Sequence, residues 1–374
     1  MKPTRKERWQ RGPLAWMVYN RVTPNLLMIA LIMGGFFVSG QIKKEVFPEF
    51  ELDRVTVSVA YPGASPEEVE QGILQIKAAT DQPFGVNFHM YTPGASEIIN
   101  ICIRHQVRAV SYSRSPDAKS IAQLKTAGIV CIPTVGALKH AIKAVSLGAD
   151  AVVVQGGEGG GHTGSVATTI LLPQVIAALD VPVVAAGGFK DGRGLAAALS
   201  FGAAGIAMGT RFLLTQESPV PITTKDYYLN TTTEQVIVSS KLDGIPQRMI
   251  NNQYLKTLES KSTFGMLLLA IKNGVAFAKL SGDSLFSMLR SAWAMKRSSD
   301  LNLGQTMMAA NAPMMIQHSM VDGHADQGIM PSGQIAGTID DLPTVEDLIC
   351  SIVDETKEVV SELAEMNKAN LNQQ

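Results

Sequence analysis

The chain has 374 residues, 46% of them hydrophobic, and its 32 basic and 33 acidic side chains leave a net charge of −1. This length allows one large α/β domain with additions, or two ordinary domains. The balanced charge gives no global positive field, so we expect no nucleic-acid partner. Cys102, Cys131 and Cys350 form no CxxC pair, which indicates reduced thiols, no metal site and a cytoplasmic location for the domain that holds them.

An apolar run near the N-terminus predicts a membrane helix. Leu26–Val38 is continuously apolar and no charge occurs between Arg21 and Lys43, which approaches the ~20 residues that a spanning helix needs. Six basic residues precede the run and mixed charges follow it, so the positive-inside rule places the N-terminus in the cytoplasm. We therefore predict one helix at about residues 22–42 in an inner membrane. A cleaved signal peptide is the alternative, although the charged leader is long for one.

A strand and a helix start are predicted after this run. Val55–Ala60 alternates as a strand does, and Ser65-Pro-Glu-Glu68 forms a capping box with proline at the first helical position. Together with Asn20–Leu27 and Glu45–Phe50, these sequence motifs closely resemble the start of RND-family efflux transporters, over about residues 14–75. The resemblance implies a first transmembrane helix and the opening strand and helix of a porter domain, without any activity.

From Phe84 onward, short apolar runs alternate with helical patterns. Such alternation indicates a parallel sheet of βα units, and nearly continuous apolar runs indicate strands buried on both faces. The predicted strands are Phe84–His89, Val107–Tyr112, Gly128–Pro133, Ala151–Gln155, Val181–Ala186 and Gly205–Met208. The predicted helices are Ser96–His105, Asp117–Ala127, Val135–Leu147, Thr169–Leu179 and Arg193–Phe201. This gives about six units, two fewer than a TIM-type barrel contains.

Two glycine-rich turns follow the last two strands, where a TIM-type barrel places its phosphate site. Ala185-Ala-Gly-Gly begins one turn and Met208-Gly-Thr begins the other. Backbone N–H groups that no Cβ obstructs can converge there on one phosphate. The predicted phosphate ligands are the backbone amides of Gly187, Gly188, Gly209 and Thr210. The alternative is that these glycines only make tight turns.

A third glycine-rich segment, Gln155–Gly164, follows the strand Ala151–Gln155, at the rim where barrel enzymes carry their catalytic loops. Its one reactive side chain, His162, can act as a general base or donate a hydrogen bond to a substrate oxyanion. A loop histidine on its own is more often structural. We interpret this one as catalytic because the loop is too rich in glycine to be a packing device.

The glycine-rich motifs described above resemble those of the nitronate monooxygenase family, formerly called 2-nitropropane dioxygenases, and the resemblance covers about residues 77–374. The matching motifs are Pro83–Asn87, Gln155–His162, Ala185–Gly194, Met208–Phe212, Leu242–Arg248 and Ser332–Gly337. The resemblance implies an oxidoreductase that binds FMN and uses O₂ to oxidise alkyl nitronates or nitroalkanes to a carbonyl compound and nitrite. It also makes His162 the catalytic residue. The FMN-binding residues that it implies are Asn87, Gln155, Gly160, Gly187, Gly188, Met208, Gly209, Thr210 and Gln334.

The chain departs from this family at its start. The family begins with a strand carrying a Gly-Gly-Met word, a helix and a glycine-rich second strand, and transporter-like sequence stands in their place here. We therefore predict an α/β fold, a TIM-type (β/α)8 barrel that lacks its first two βα units, fused at about residues 72–78 to a membrane-anchored segment. Such a gap leaves strand edges unpaired. We expect few contacts between residues 1–76 and the barrel, and an opening beside Phe84–His89.

The glycine-rich rhythm ends beyond Pro221. Gln235–Leu242 is a predicted strand followed by a turn, Tyr254–Met315 is predicted to be mostly helical, and Thr344–Met366 is a predicted amphipathic helix. The predicted domains are 1–76 (transporter-like segment), 77–220 (FMN-binding βα units), 221–325 (helical lid or insert) and 326–374 (barrel-associated segment with the C-terminal helix).

Two alternatives to nitronate oxidation stay open. Related flavin barrels share the histidine loop and both glycine turns but act as enoyl-ACP reductases or NADH:quinone reductases. NADH consumption without nitronate would indicate that class. From a different class, the missing strands allow an inactive membrane-tethered remnant, and failure to retain flavin would indicate it. The sequence predicts no particular oligomeric state.

Overall fold

The computed structural model describes residues 22, 28, 32–33, 65–90, 94–113, 118–242, 244–261 and 315–371. The chain divides into two units, Met1–Val55 and Thr56–Gln374, and the fold below is that of the second. Of the predicted membrane helix, only Val22, Met28, Ile32 and Met33 are described, and each is more than half exposed. The rest of that prediction, and the predicted strand Val55–Ala60, lie outside the described residues. No helix in the described ranges is long and apolar enough to cross a bilayer.

Two sheets contain the strands that the structure describes. The strands are β1 (Gly85–His89), β2 (Ala109–Ser113), β3 (Val130–Val135), β4 (Val152–Gln155), β5 (Gly161–His162), β6 (Val183–Ala186), β7 (Gly205–Ala207), β8 (Val236–Ser239) and β9 (Gln247–Ile250). The larger sheet has six parallel strands in the order β1-β2-β3-β4-β6-β7. The smaller sheet is antiparallel, in the order β5-β9-β8.

The parallel sheet is a TIM-like half-barrel. Its six strands lie close to the six predicted from the sequence, because each is an apolar run that follows a helical pattern. In the described part of the chain, β1 pairs only with β2, and β7 only with β6. The predicted opening of the sheet beside β1 stays a prediction, because residues 34–64 lie outside the described part of the chain.

Helices follow the strands and cover one face of this sheet. The α-helices are α1 (Pro66–Ala79), α2 (Ala95–Arg104), α3 (Ala118–Thr126), α4 (Leu138–Ser146), α5 (Thr168–Ala178), α6 (Gly192–Ser200), α7 (Thr210–Leu213), α8 (Ile222–Leu229), α9 (Gln253–Ser260) and α10 (Val345–Leu371). Residues 315–320 are also helical. Short 3₁₀ turns occur at Thr233–Gln235, Ala325–Gln327 and Gln334–Thr338.

Burial alternates along the parallel strands. In β2, Val110 and Tyr112 are buried against the helices, whereas Ala109, Ser111 and Ser113 on the other face are only partly buried. The same alternation occurs in β3 and β4. The prediction that these strands are buried on both faces was therefore wrong for β2, β3 and β4, because the inner face of each is only partly covered.

Helix α1 packs against the half-barrel. Ser65 caps the helix and exchanges hydrogen bonds with Glu68, so the predicted capping box is confirmed. Ile73 is 2% exposed and lies in one apolar cluster with Phe88 and Cys102. The expectation of few contacts between residues 1–76 and the barrel was wrong for this helix, because its apolar face is buried in the same core as β1 and α2.

Charged groups add to this contact. The Glu70 carboxylate lies 2.8 Å from Nη1 of Arg104 and 2.6 Å from Nε2 of His105, at the end of α2. The hydrogen bond with His105 lowers the pKa of Glu70 below its usual value. Helix α1, which contains part of the transporter-like sequence, is thus joined to the half-barrel by both apolar and ionic contacts.

The segment after α7 contains the β8–β9 hairpin as well as helices. This hairpin confirms the predicted strand in Gln235–Leu242, and β9 adds a strand that the sequence did not predict. Most of the predicted helical lid, residues 262–314, lies outside the described residues. The C-terminal helix α10 confirms the predicted amphipathic helix and packs on α6.

Candidate active site

The two glycine turns after β6 and β7 both begin at the carboxyl ends of their strands. Ala186 lies opposite Ala207 in parallel register, so the next residues, Gly187 and Met208, leave their strands side by side. Gly187 and Gly188 have φ values of +94° and +85°, a region that only glycine adopts without strain. A Cβ on Gly209 would meet no atom within 4 Å. The turns therefore lie on neighbouring strands, as predicted, with open space beside Gly209.

The nearby helix N-terminus is already satisfied by side chains. Asp191 caps α6 by accepting a hydrogen bond from the backbone N–H of Gly194 (3.0 Å). Glu355 of α10 accepts another from the N–H of Gly192 (2.7 Å). Because both carboxylates are negative and both donors are used, an anion at this rim would bind to the amides of the two glycine turns and not to α6.

Glycines pack the His162 loop tightly against its neighbours. A Cβ on Gly156 would lie 2.0 Å from Oγ1 of Thr168, and a Cβ on Gly159 would lie 2.5 Å from the Gln155 side chain. A Cβ on Gly160 would lie 2.6 Å from the backbone nitrogen of Gly333. The interpretation that this loop is not a packing device was therefore wrong for these three positions, since each glycine permits a close approach.

Side-chain hydrogen bonds fix the same loop. The Gln155 amide donates to the carbonyl oxygens of His162 (2.9 Å) and Gly160 (3.3 Å). The Glu158 carboxylate accepts from the backbone N–H and the hydroxyl of Thr168, at 3.0 and 2.8 Å. Both side chains thus hold the backbone on either side of the catalytic candidate.

His162 lies at the end of the loop, in the two-residue strand β5. Its backbone is opposite Gln247 of β9 in the antiparallel sheet, and its side chain is exposed. The Gln247 amide nitrogen is 3.1 Å from Nε2 of the ring. His162 therefore stands at the carboxyl rim of the half-barrel, with a buried polar partner behind it.

Arg248 ties this small sheet to the loop. Its Nε donates to the carbonyl oxygen of Gly157 (2.9 Å), and its Nη1 donates to that of Val236 (3.3 Å). Burial lowers the pKa of Arg248, and the negative charge of Glu158 opposes that shift. The guanidinium group is used in holding backbone carbonyls, so its role in this structure is to position the loop.

The remaining predicted ligands fall into two groups. Gln334 donates its backbone N–H to the Glu158 carbonyl (2.9 Å), and the Thr210 hydroxyl accepts from the N–H of Gly333 (2.9 Å). The Ser332–Gly337 motif is thereby joined to both the His162 loop and the second glycine turn. Asn87 lies apart from them, exposed on β1 at the opposite edge of the sheet.

Sequence reasoning missed Gln247 and Arg248 as site residues. Both end the Leu242–Arg248 motif, which was noticed only as part of a family resemblance. The signal that was available is a glutamine and an arginine after a Gly-Ile-Pro turn, two polar residues that enter a strand. Their partners lie more than eighty positions earlier in the chain, and no local pattern reveals such a pairing.

Six parallel strands with two glycine turns and a histidine loop at one rim define a TIM-like α/β protein with a candidate anion-binding rim. The family model for nitronate monooxygenase matches residues 57–355. The chain belongs to the nitronate monooxygenase family. The match begins inside the stretch that resembles an efflux transporter, and a fusion to such a transporter stays a prediction.

Individual proteins show similarities of different strength. The chain is 50% identical over 286 residues to the (3aS,4S,5R,7aS)-5-hydroxy-7a-methyl-1-oxo-octahydro-1H-indene-4-carboxyl-CoA dehydrogenase of Rhodococcus jostii, covering 76% of this chain and 81% of that protein. A probable nitronate monooxygenase of Staphylococcus haemolyticus is 32% identical, covering 52% and 67%. FabK from Thermotoga maritima has a similar structure, with a TM-score of 0.65, 28% identity and coverage of 82% and 86%.

Proposed function

We propose that the chain is an FMN-dependent dehydrogenase that acts on the CoA thioester of a bicyclic ring acid. The observation that carries this proposal is the 50% identity with the Rhodococcus jostii dehydrogenase over 81% of that protein. The relative named as a probable nitronate monooxygenase is less similar and covers less of either chain. The proposed substrate therefore follows the stronger similarity, within the same flavin family.

The residues at the rim fit an FMN phosphate. The two glycine turns lie on paired neighbouring strands, and the space beside Gly209 is open to a ligand. In the proposal, the amides of Gly187, Gly188, Gly209 and Thr210 hold the phosphate, since freed backbone N–H groups suit a single anion. Gly160, Met208 and Gln334 would border the cofactor. Bound FMN would supply the acceptor for two electrons from the substrate.

Two of the ligands implied by resemblance take different roles here. The Gln155 amide is already used on the carbonyl oxygens of Gly160 and His162, so we assign it to positioning the loop. Asn87 lies on the far edge strand, and we retain it only as a candidate contact to the ring system of FMN. His162 is the proposed catalytic residue, which contacts the substrate group on which charge develops.

The cofactor assignment is tested by a matched pair of glycine substitutions. A Cβ on either Gly209 or Gly205 would meet no protein atom within 4 Å, so both alanine variants should fold. Only Gly209→Ala places a methyl group at the phosphate turn, where it should hold the phosphate away from the backbone N–H and weaken FMN binding about 10-fold or more, the scale of losing a charge-assisted hydrogen bond. Fluorescence titration of apoprotein with FMN gives the comparison. Equal affinities for both variants would argue against this phosphate site.

The substrate assignment is tested by anaerobic reduction of the bound flavin. The bicyclic hydroxyacyl-CoA should bleach the flavin absorbance, and the free acid without CoA should not. His162→Ala should slow the bleaching by about 10²-fold, the scale of losing an acid–base group. A chain that stays oxidised with the thioester is not this dehydrogenase.

Nitronate oxidation is the second candidate, supported by the family match over residues 57–355. In that case an alkyl nitronate and O₂ are the substrates, and a carbonyl compound and nitrite are the products. Nitrite release from propyl-2-nitronate in air, without bleaching by the thioester, would favour this candidate over the first.

A further inference from the structure

A buried glutamine, Gln247, contacts the ring of the catalytic candidate His162. Gln247 is 5% exposed, whereas the His162 side chain that it contacts is exposed. The two residues are opposite each other in the β5–β9 ladder, which brings their side chains to the same face of the small sheet. The contact joins the Gln247 amide nitrogen to Nε2 of the ring at 3.1 Å.

The backbone around both residues is held independently of this contact. Thr163 donates its N–H to the Pro246 carbonyl (3.1 Å), which continues the ladder beyond β5. Gln155 holds the His162 carbonyl and Arg248 holds the Gly157 carbonyl, each at 2.9 Å. Because these bonds already fix the loop, removing the contact between Gln247 and the imidazole should leave the loop backbone in place.

The chemistry of the contact specifies where the ring proton lies. An amide NH₂ group only donates, so the ring nitrogen that receives it must present a lone pair. A neutral imidazole that accepts at Nε2 carries its proton on Nδ1. In this tautomer the ring proton lies on Nδ1, and an imidazole N–H is a group that can stabilise a developing oxyanion.

We propose that Gln247 is a positioning residue that holds His162 in the Nδ1–H tautomer and fixes the direction of its ring. The inference rests on the proposed catalytic role of His162 and adds the group that prepares this residue for it. Gln247 acts through His162 and needs no contact with substrate or flavin.

The tautomer is measured by ¹⁵N NMR of histidine-labelled holoprotein, with His162→Asn used to assign the signal among the six histidines. We expect an unprotonated Nε2 in the native protein. Gln247→Leu should release the ring to the Nε2–H form that a free histidine side chain prefers. Gln247→Glu should also give Nε2–H, because a carboxylate accepts that proton. The control is Gln123→Leu, which removes an exposed amide bonded to Asn100 and should leave the signal unchanged.

Kinetics then separate positioning from general support of the fold. Gln247→Leu should lower kcat about 10- to 100-fold, the range for losing the partner that orients a functional histidine, with little change in KM. The double variant His162→Ala/Gln247→Leu should be no slower than His162→Ala alone, since coupled residues are not additive.

Three results would overturn the proposal: an Nε2–H signal in the native protein, an unchanged signal in Gln247→Leu, or a further loss in the double variant. A chain that turns over neither thioester nor nitronate would refute the proposed function instead. The NMR measurement needs no substrate, so it still decides the tautomer in that case.

Discussion

At the scale of single residues, two buried tyrosines differ in how their hydroxyl groups are satisfied. Tyr112 of β2 is 1% exposed, and its hydroxyl has no hydrogen-bond partner among the described residues. The Tyr228 hydroxyl donates to the Pro331 carbonyl at 2.6 Å. A buried polar group without a partner is a cost to the folded state, whereas one in a hydrogen bond is not.

Removing each hydroxyl should therefore change stability in opposite directions. Tyr112→Phe should raise the free energy of unfolding by about 1 kcal/mol, because an unsatisfied group is removed without leaving a partner behind. Tyr228→Phe should lower it by about 1–2 kcal/mol, since the Pro331 carbonyl loses its donor. Urea unfolding monitored by circular dichroism provides both values. A loss of stability in Tyr112→Phe would mean that its hydroxyl has a partner in solution.

The thiols give a dependence of stability on pH. Burial raises the pKa of Cys102 from 9.0 to about 12 and that of Cys131 from 9.0 to about 11. Both thiols are therefore neutral in the folded chain at a pH where they ionise in the unfolded chain. Their contribution to stability is complete below pH 9 and is lost as the pH rises toward the folded values.

We expect the free energy of unfolding to fall between pH 9 and 10 by up to about 1.4 kcal/mol per pH unit for each thiol. Replacing Cys102 and Cys131 by alanine should flatten this decline. The exposed Cys350 serves as the control, and Cys350→Ala should leave the slope as it was. Urea titrations at several pH values provide the slope, and an unaltered slope in the double variant would assign the decline to other groups.

At the scale of elements, α1 offers a direct test of its attachment to the half-barrel. Ile73 is 2% exposed in the cluster with Phe88, and Ile76 on the same helix is 41% exposed. Ile73→Ala should lower the free energy of unfolding by about 2–4 kcal/mol through lost burial and a cavity. Ile76→Ala should cost less than about 0.5 kcal/mol, as surface changes do. Similar small effects in both variants would mean that α1 is not part of this core in solution.

The elements also indicate how far the sequence alone could go. The six parallel strands were predictable because each apolar run is bounded by a helical pattern or a glycine. The strand β5 was not, since Gly161–His162 becomes a strand only through its pairing with Gln247–Arg248. The glycines of the Gln155–Gly164 loop were interpreted as unrelated to packing, but close neighbours require Gly156 and Gly160. The sequence shows where a glycine occurs, but it does not show which atom from another part of the chain packs against that glycine.

At the scale of the whole molecule, the boundary of the half-barrel lies earlier than the sequence suggested. The predicted fusion at about residues 72–78 cuts through α1, whereas the compact unit begins at Thr56. The resemblance to a transporter did not indicate this boundary, because a capped amphipathic helix can belong either to the transporter-like segment or to the half-barrel. The attachment of α1 to the half-barrel depends on the contact of Ile73 with the cluster that contains Phe88 and Cys102. No local sequence motif predicts such a contact between separate elements.

Two truncated chains distinguish the boundaries. A chain that begins at Ser65 keeps α1 and should retain the thermal midpoint of the complete unit. A chain that begins at Lys77 loses Glu70 and Ile73, so it should unfold at a midpoint lower by about 4–16 °C, given about 2–4 kcal/mol lost and about 2–4 °C per kcal/mol for a unit of this size. Scanning calorimetry gives both midpoints. Equal midpoints would restore the boundary near residue 76.

The contact between α10 and α6 has a consequence for biosynthesis. Glu355 accepts from the N–H of Gly192, and the Thr356 hydroxyl donates to the carbonyl of the same glycine. A Cβ on Gly192 would lie 2.6 Å from the Ile352 carbonyl oxygen. The turn after β6 is therefore completed by residues that the ribosome adds about 160 positions later. At ~5–20 residues per second, the nascent half-barrel waits on the order of ten seconds or more for this helix. Until α10 leaves the exit tunnel, the glycine turn on β6 lacks its support, so we expect the proposed cofactor to bind only after α10 has been synthesised.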